Sequence, residues 1–113
     1  MRHLGGPAAL LAVVALGTAC GQARRGVPFG PPLQLTEQEQ QGERLFMEHC
    51  HHCHPGGAAG LGPALNNKPL PGAAMHLQIR KGVGTMPAFP EELLSNAQVD
   101  ALVAYLNKLQ QEP

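Results

Sequence analysis

Two cysteines three residues apart, followed at once by a histidine, constrain this 113-residue chain more than any other feature. They stand in the run Cys50-His51-His52-Cys53-His54. Residues three apart lie on one face of a helix end, so both sulfurs can reach a single bound group. The imidazole of His54 follows at the turn and can approach that group from one side. The run therefore predicts a group held jointly by two sulfurs and one imidazole.

This C-x-x-C-H spacing is the attachment signature of c-type haem. Cys50 and Cys53 would bond the two vinyl groups of one porphyrin through thioethers, and His54 would bind its iron. The predicted cofactor is one covalently attached haem c.

A structural zinc site and a redox-active disulfide are the alternatives for the same cysteine spacing. Zinc needs four ligands, and the third cysteine, Cys20, lies in the leader of the chain, so histidines would have to complete a Cys2His2 site. A redox C-x-x-C pair belongs near a βαβ pattern, which the sequence lacks, and it would not need His54. Both alternatives stay open at this point, and haem is favoured.

Met86 is the predicted second iron ligand. It stands beside Pro87 in a predicted loop, Gly84 to Pro90, whereas Met47 and Met75 fall in predicted helices, where methionine usually packs in the core. A methionine ligand favours ferrous iron and gives a higher reduction potential than a histidine would. The histidines that compete for this role are His49, His51, His52 and His76.

The leader of the chain predicts export. Residues 1–19 have a basic start, the apolar run Ala8 to Leu16 and a small-residue end, which is the order of a secretory signal. Cys20 follows as in bacterial lipoproteins, although Gly17 stands where their signal usually has leucine, so lipidation and ordinary cleavage both stay open. Residues 20–33 are rich in Gly and Pro, a composition that predicts a flexible tether. We expect the protein in the periplasm or on the outer face of the cytoplasmic membrane, held by a lipid on Cys20.

Capping boxes predict two amphipathic helices at the two ends of the remaining sequence. Thr36 and Glu39 begin the first, which runs to the cysteine pair, and Ser95 and Gln98 begin the last. The last helix, Asn96 to Leu109, carries an apolar stripe that recurs every three or four residues. A domain with helices at both ends is therefore expected.

Between those helices, Gly72 to Lys81 predicts a short helix that stops at Gly82, and the Gly- and Pro-rich stretches His54 to Pro71 and Gly84 to Pro90 predict loops. No period-two strand pattern occurs. The domain of residues 34–111 is therefore expected to be all-α with long loops.

The core available to this domain is thin. The chain is only 4% aromatic, has no Trp, and contains 14 Gly and 11 Pro. Domains of this size usually need a disulfide, a metal or another staple to supplement a small core. A haem would add the large apolar group that the few aromatic side chains do not provide, so we expect the chain without haem to be largely unfolded.

The order of these motifs resembles the class I, mitochondrial-type, c-type cytochromes, in particular their short bacterial monohaem members. The resemblance covers about residues 36–109. It implies a class I cytochrome c fold, in which the N- and C-terminal helices cross and long loops wrap one covalent haem. The matching elements, in chain order, are Gly42 and Phe46, Cys50-x-x-Cys53-His54, Gly62-Pro63, Ile79-Arg80-Lys81-Gly82, Met86-Pro87-Ala88-Phe89, and Leu102, Tyr105 and Leu106.

The resemblance also implies two supporting contacts. Gly42 would let Tyr105 or a neighbouring side chain approach across the helix crossing. The carbonyl of Pro63 would accept a hydrogen bond from Nδ1 of His54 and so orient the ring. Arg80 and Lys81 would either neutralise a haem propionate or be solvated.

The expected function is that of an electron-transfer protein, not an enzyme. Iron bound on both sides by His54 and Met86 has no open position for a substrate, which suits a one-electron carrier outside the cytoplasmic membrane. The alternatives are a haem subunit of a larger membrane redox enzyme or oxidase, and a gas-binding or catalytic haem protein with a labile Met86. Eight basic and eight acidic residues balance, so nucleic-acid binding is not expected. Redox partners would dock transiently at the exposed haem edge, beside Cys50, Cys53, Ala58, Ala59 and Leu61.

Overall fold

The computed structural model describes residues 31–111, and three α-helices form their regular structure. These are α1 (Glu37–His49), α2 (Gly72–Lys81) and α3 (Asn96–Leu109), with a single 3-10 turn at Pro55–Gly57. Within the described range no strand forms. The predicted all-α architecture is confirmed.

Both predicted capping boxes are present. The Thr36 hydroxyl accepts the Glu39 N–H at 3.3 Å, and the Glu39 carboxylate accepts the Thr36 N–H at 2.7 Å. That backbone hydrogen bond lowers the pKa of the Glu39 carboxyl. At α3, Ser95 and Gln98 exchange the same two bonds at 3.3 and 2.8 Å. Local sequence therefore sets where α1 and α3 begin.

α1 and α3 pack against each other, and Gly42 is the point of closest approach. A Cβ atom at Gly42 would overlap the carbonyl oxygen of Ala101 and lie 2.8 Å from Cβ of Tyr105. One turn further along α1, the ring of Phe46 lies 5.4 Å from that of Tyr105. The crossing implied by the family resemblance is confirmed.

The hydrophobic core lies between these helices, and α2 adds one side to it. Met75 and Ile79 of α2 are buried, as the helical spacing predicts. Met47 was expected to pack in the same way, and this is wrong, because its side chain is 48% exposed. The α1 positions that face α3 are Gly42, Leu45 and Phe46, and the residue after Phe46 turns away from that face. The largest fully buried side chains are Phe46, Leu94, Val99 and Leu102.

α2 ends where the sequence predicts. Gly82 has φ +66°, a conformation that favours glycine, and its N–H donates to the carbonyl of Gln78 at 2.8 Å. At the other end of the domain, Leu33 and Leu35 pack against the core ahead of α1. None of the helices in residues 31–111 has the length and apolarity needed to cross a membrane. The predicted signal segment and Cys20 lie outside the described residues.

The helix crossing predicts that Gly42→Ala lowers the stability of the haem-loaded protein by about 1–3 kcal/mol, because the added methyl group meets a backbone carbonyl that cannot rotate away. Denaturant unfolding measures the change. Gly72→Ala is the matched control, since its methyl group would meet only Val103 at 3.5 Å and should leave stability equal or slightly higher. Equal losses in the two variants would contradict this view of the crossing.

Candidate cofactor site

A cavity of about 530 Å³ opens between the C-terminal end of α1, α2 and the last part of α3. This volume is within the range of pockets that hold small molecules and cofactors. The four side chains predicted for the site all line it: Cys50, Cys53, His54 and Met86. Much of the remaining lining is apolar and includes Leu61, Leu65, Ile79, Phe89 and Leu106.

The turn after α1 brings the two cysteines to the same cavity. The Cys50 N–H donates to the Phe46 carbonyl at 2.8 Å, which closes the helix. The N–H groups of Cys53 and His54 then donate to the Cys50 carbonyl at 3.1 and 3.0 Å. These bonds make one compact turn, which explains why both thiols and the imidazole reach one site.

Both cysteines are free and half-buried. Burial, together with the neighbouring Cys53, raises the pKa of the Cys50 thiol to about 11. The surroundings therefore favour an uncharged sulfur. A thioether sulfur is likewise uncharged.

The two alternatives to haem find no further support among residues 31–111. No group of three or more His, Cys, Asp or Glu side chains gathers there as a metal site would require. Cys50 and Cys53 are not joined in a disulfide. The fold around them also lacks the βαβ unit of a redox C-x-x-C protein.

His54 is held in one orientation by a backbone carbonyl. Its Nδ1 lies 2.7 Å from the carbonyl oxygen of Pro63, and because a carbonyl only accepts, Nδ1 carries the proton. The lone pair is then on Nε2, the nitrogen that can bind iron. The contact implied by the family resemblance is confirmed.

Gly62 makes room for this ring. A Cβ at Gly62 would lie 2.8 Å from both Nδ1 and Nε2 of His54. His54 is buried, at 8% exposure, and a side chain at position 62 would push its ring away from Gly62 and into the cavity. The contact with the His54 ring therefore explains the glycine at position 62 better than a need for backbone flexibility does.

Met86 lies in a tight turn on another side of the cavity. Val83 and Met86 exchange backbone hydrogen bonds of 3.1 and 2.9 Å. The Met86 side chain is half-buried against the core, and its Sδ lies 3.8 Å from Nε2 of Gln78. Sequence reasoning missed Gln78, although it stands three residues after Met75 and so shares the cavity-facing side of α2.

Comparison with known families decides the identity of the domain. Residues 37–106, more than half of the chain, match the family described as cytochrome c oxidase, cbb3-type, subunit III. The chain belongs to this family of c-type cytochromes. Family membership implies a covalent haem c, which fits the free cysteines and the apolar cavity.

Individual relatives agree with this assignment. The cytochrome c subunit of hydroxylating 4-cresol dehydrogenase from Pseudomonas putida is 33% identical over 88 residues, which cover 74% of this cytochrome and 77% of the relative. A chain in the crystal structure of p-cresol methylhydroxylase with substrate bound matches with a TM-score of 0.54 and 32% identity, covering 67% of this cytochrome and 97% of that chain. The expected class I cytochrome c type is confirmed.

Two of the competing histidines of the cytochrome have other partners. Nδ1 of His51 accepts the N–H of Gly56 at 3.0 Å, and Nε2 of His76 lies 2.7 Å from a carboxylate oxygen of Asp100. Of the other two, His49 lines the cavity and His52 is exposed.

Met75 is a second thioether in the cavity lining, and it differs from Met86 in its burial and its place on a helix. It is buried on α2, at 5% exposure, and its Sδ accepts from Nε2 of Gln110 at 3.4 Å. A side chain fixed on a helix in this way is part of the packing, as predicted. Met86 lies instead on the turn that it forms with Val83.

Arg80 has neither of the two roles expected for it. Its guanidinium is bound to the protein itself: Nη1 donates to the carbonyls of Phe89 at 2.9 Å and Leu94 at 2.6 Å, and Nη2 donates to Oδ1 of Asn96 at 2.7 Å. Lys81, the next residue, is exposed. The basic residue in the cavity lining is Lys68 instead, and the described lining contains no carboxylate.

Proposed function

We propose that this cytochrome is the electron-transfer subunit of a larger redox enzyme and accepts electrons one at a time from a dehydrogenase subunit. The observation that carries the proposal is the meeting of two free thiols, an imidazole with Nε2 available and a thioether on one apolar cavity. The relative from Pseudomonas putida, a cytochrome c subunit of a dehydrogenase, supports the kind of partner.

In this proposal Cys50 and Cys53 would bond one haem c, and Nε2 of His54 and Sδ of Met86 would be the ligands of its iron. Bound there, the haem supplies a one-electron couple between ferric and ferrous iron. The carbonyl of Pro63 keeps the imidazole in its binding orientation, and the apolar lining excludes water. With both ligands bound, the iron would have no position left for a substrate, so substrate chemistry would belong to the partner.

The cavity lining also suits the anionic edge of a haem. Propionates would be repelled by carboxylates, and within residues 31–111 the lining has none, while Lys68 offers a positive charge. This distribution supports haem as the occupant independently of the cysteine spacing. It also moves the proposed propionate partner from Arg80 to Lys68.

The sequence alone favours a free electron carrier over a subunit of a larger redox enzyme, whereas the relatives favour the subunit. A subunit still needs an exposed edge for electron transfer. Leu61 lines the cavity and is 86% exposed, so we place the docking edge there.

Export and a lipid on Cys20 are also proposals, and the mass of the mature protein would show the acyl chains.

Replacing Met86 tests the proposed axial ligand. Met86→Ala should remove the absorption band of thioether-ligated ferric haem and lower the reduction potential by roughly tens of millivolts or more, because loss of a methionine ligand favours the ferric state. Spectroelectrochemistry measures both. Met75→Leu is the matched control and should change neither. The opposite pattern would make Met75 the ligand.

Native purification of the full chain tests the proposed partnership. A stoichiometric complex in which 4-cresol or a related phenol reduces the haem would support the dehydrogenase partner. A cytochrome oxidase is the second candidate, favoured by the description of the family, and its complex would oxidise the reduced haem with oxygen. A cytochrome that purifies alone and exchanges electrons only by collision would contradict both and restore the free carrier.

The docking edge can be tested in the same complex. Leu61→Asp should slow haem reduction by the partner by more than any accompanying change in the measured reduction potential explains, because it places a charge on an apolar contact surface. Leu77→Asp is the control: this residue of α2 is 61% exposed and is not among the residues lining the cavity. Equal rates in the two variants would move the docking edge elsewhere.

A further inference from the structure

We infer that Arg80 is the positioning residue that holds the Met86 loop, residues 82–90, and so keeps the sixth position of the iron closed. The inference rests on the proposed ligation of iron by Met86. It goes beyond that proposal because it assigns the rigidity of the ligand to a residue outside the cavity.

The guanidinium of Arg80 joins α2 to the chain on the far side of the loop. Nη1 donates to the carbonyl of Phe89 at 2.9 Å and to that of Leu94 at 2.6 Å, and Nη2 donates to Oδ1 of Asn96 at 2.7 Å. Phe89 and Leu94 are both buried, so these carbonyls depend on a protein donor. One side chain thus fixes the end of the loop and the start of α3.

The three bonds need the geometry of arginine. They diverge from two nitrogens toward acceptors 9, 14 and 16 residues away along the chain. A planar fork with five N–H groups can serve them together, whereas the single ammonium of lysine cannot reach all three in the same way. Asn96 extends the network, since its Nδ2 donates to the carboxylate of Glu91 at 3.0 Å.

The backbone hydrogen bonds between the Met86 loop and α2 lie at the two ends of the loop. On its N-terminal side, Gly82 is bonded to the carbonyl of Gln78. On its C-terminal side, the Phe89 N–H donates to the carbonyl of Ile79 at 2.9 Å. The carbonyl of Pro90 also accepts the N–H groups of Leu93 and Leu94 at 3.0 Å, but these bonds lie within one turn and do not reach α2. Without Arg80, the bond from Phe89 to Ile79 and the packing of Phe89 would be what holds this end of the loop to α2. The loop could then swing outward with α2 and α3 intact, and the sulfur would leave the iron more often.

Imidazole binding to the ferric, haem-loaded full chain measures this opening directly, because imidazole takes the iron position only when the methionine sulfur has left it. Arg80→Lys should raise the apparent affinity for imidazole by about tenfold or more, since hydrogen bonds from a charged donor to buried carbonyls are lost. Asn96→Ala removes one of the three bonds at an exposed site and should give a smaller rise. This milder variant keeps the test valid if Arg80→Lys folds poorly.

Two controls separate loop positioning from general destabilisation. Thr36→Ala removes the cap of α1, far from the loop along the chain, and should lower the denaturation midpoint with no change in imidazole affinity. Lys81→Gln removes the charge of the exposed neighbour and should change neither quantity.

The possible failures are distinguishable. If Arg80→Lys lowers the denaturation midpoint as Thr36→Ala does, with imidazole affinity unchanged, Arg80 is only a structural residue and the inference is wrong. If Met86→Ala leaves the ferric spectrum of the cytochrome unchanged, Met86 is not the ligand, and the proposed ligation fails together with this inference.

Discussion

The cavity of about 530 Å³ is the constraint on which the rest of the domain depends. Three helices with few aromatic residues cannot close around it with their own side chains. α1 and α3 form the frame, because Gly42 lets their backbones meet, and α2 and the loops form the walls. In such a small domain a large apolar cofactor contributes the burial that the side chains lack. The proposed haem is therefore a structural part of the fold as well as the redox centre.

The same surroundings bear on the chemistry of the site. The described lining of the cavity is largely apolar and holds no carboxylate, and burial raises the pKa of the Cys50 thiol. An apolar cavity likewise disfavours the extra positive charge of ferric iron, and a methionine ligand acts in the same direction. These effects together favour a relatively high reduction potential. A cytochrome of this kind can accept electrons from a dehydrogenase subunit, in line with the proposed function.

Much of the frame and of the site could be predicted from sequence because its signals are local. Both capping boxes, the cysteine spacing and the stop at Gly82 depend on residues within four positions of one another. Met47 was misplaced because a short helix has only one buried stripe, and its exact orientation depends on the partner helix. The bonds of Arg80 were not predictable, since they join residues up to 16 positions apart and exist only once α2 and α3 have packed. Long-range hydrogen bonds leave no periodic trace in a sequence.

A comparison of the domain with and without haem tests whether the fold depends on its cofactor. The chain from Leu33 onward can be prepared with haem and, as Cys50→Ala/Cys53→Ala, without it, and the helix content and the cooperativity of unfolding compared by circular dichroism. We expect a helical, cooperatively unfolding protein with haem and a largely unfolded chain without it. A haem-free chain with native helix content and a cooperative transition would show that the fold does not depend on haem.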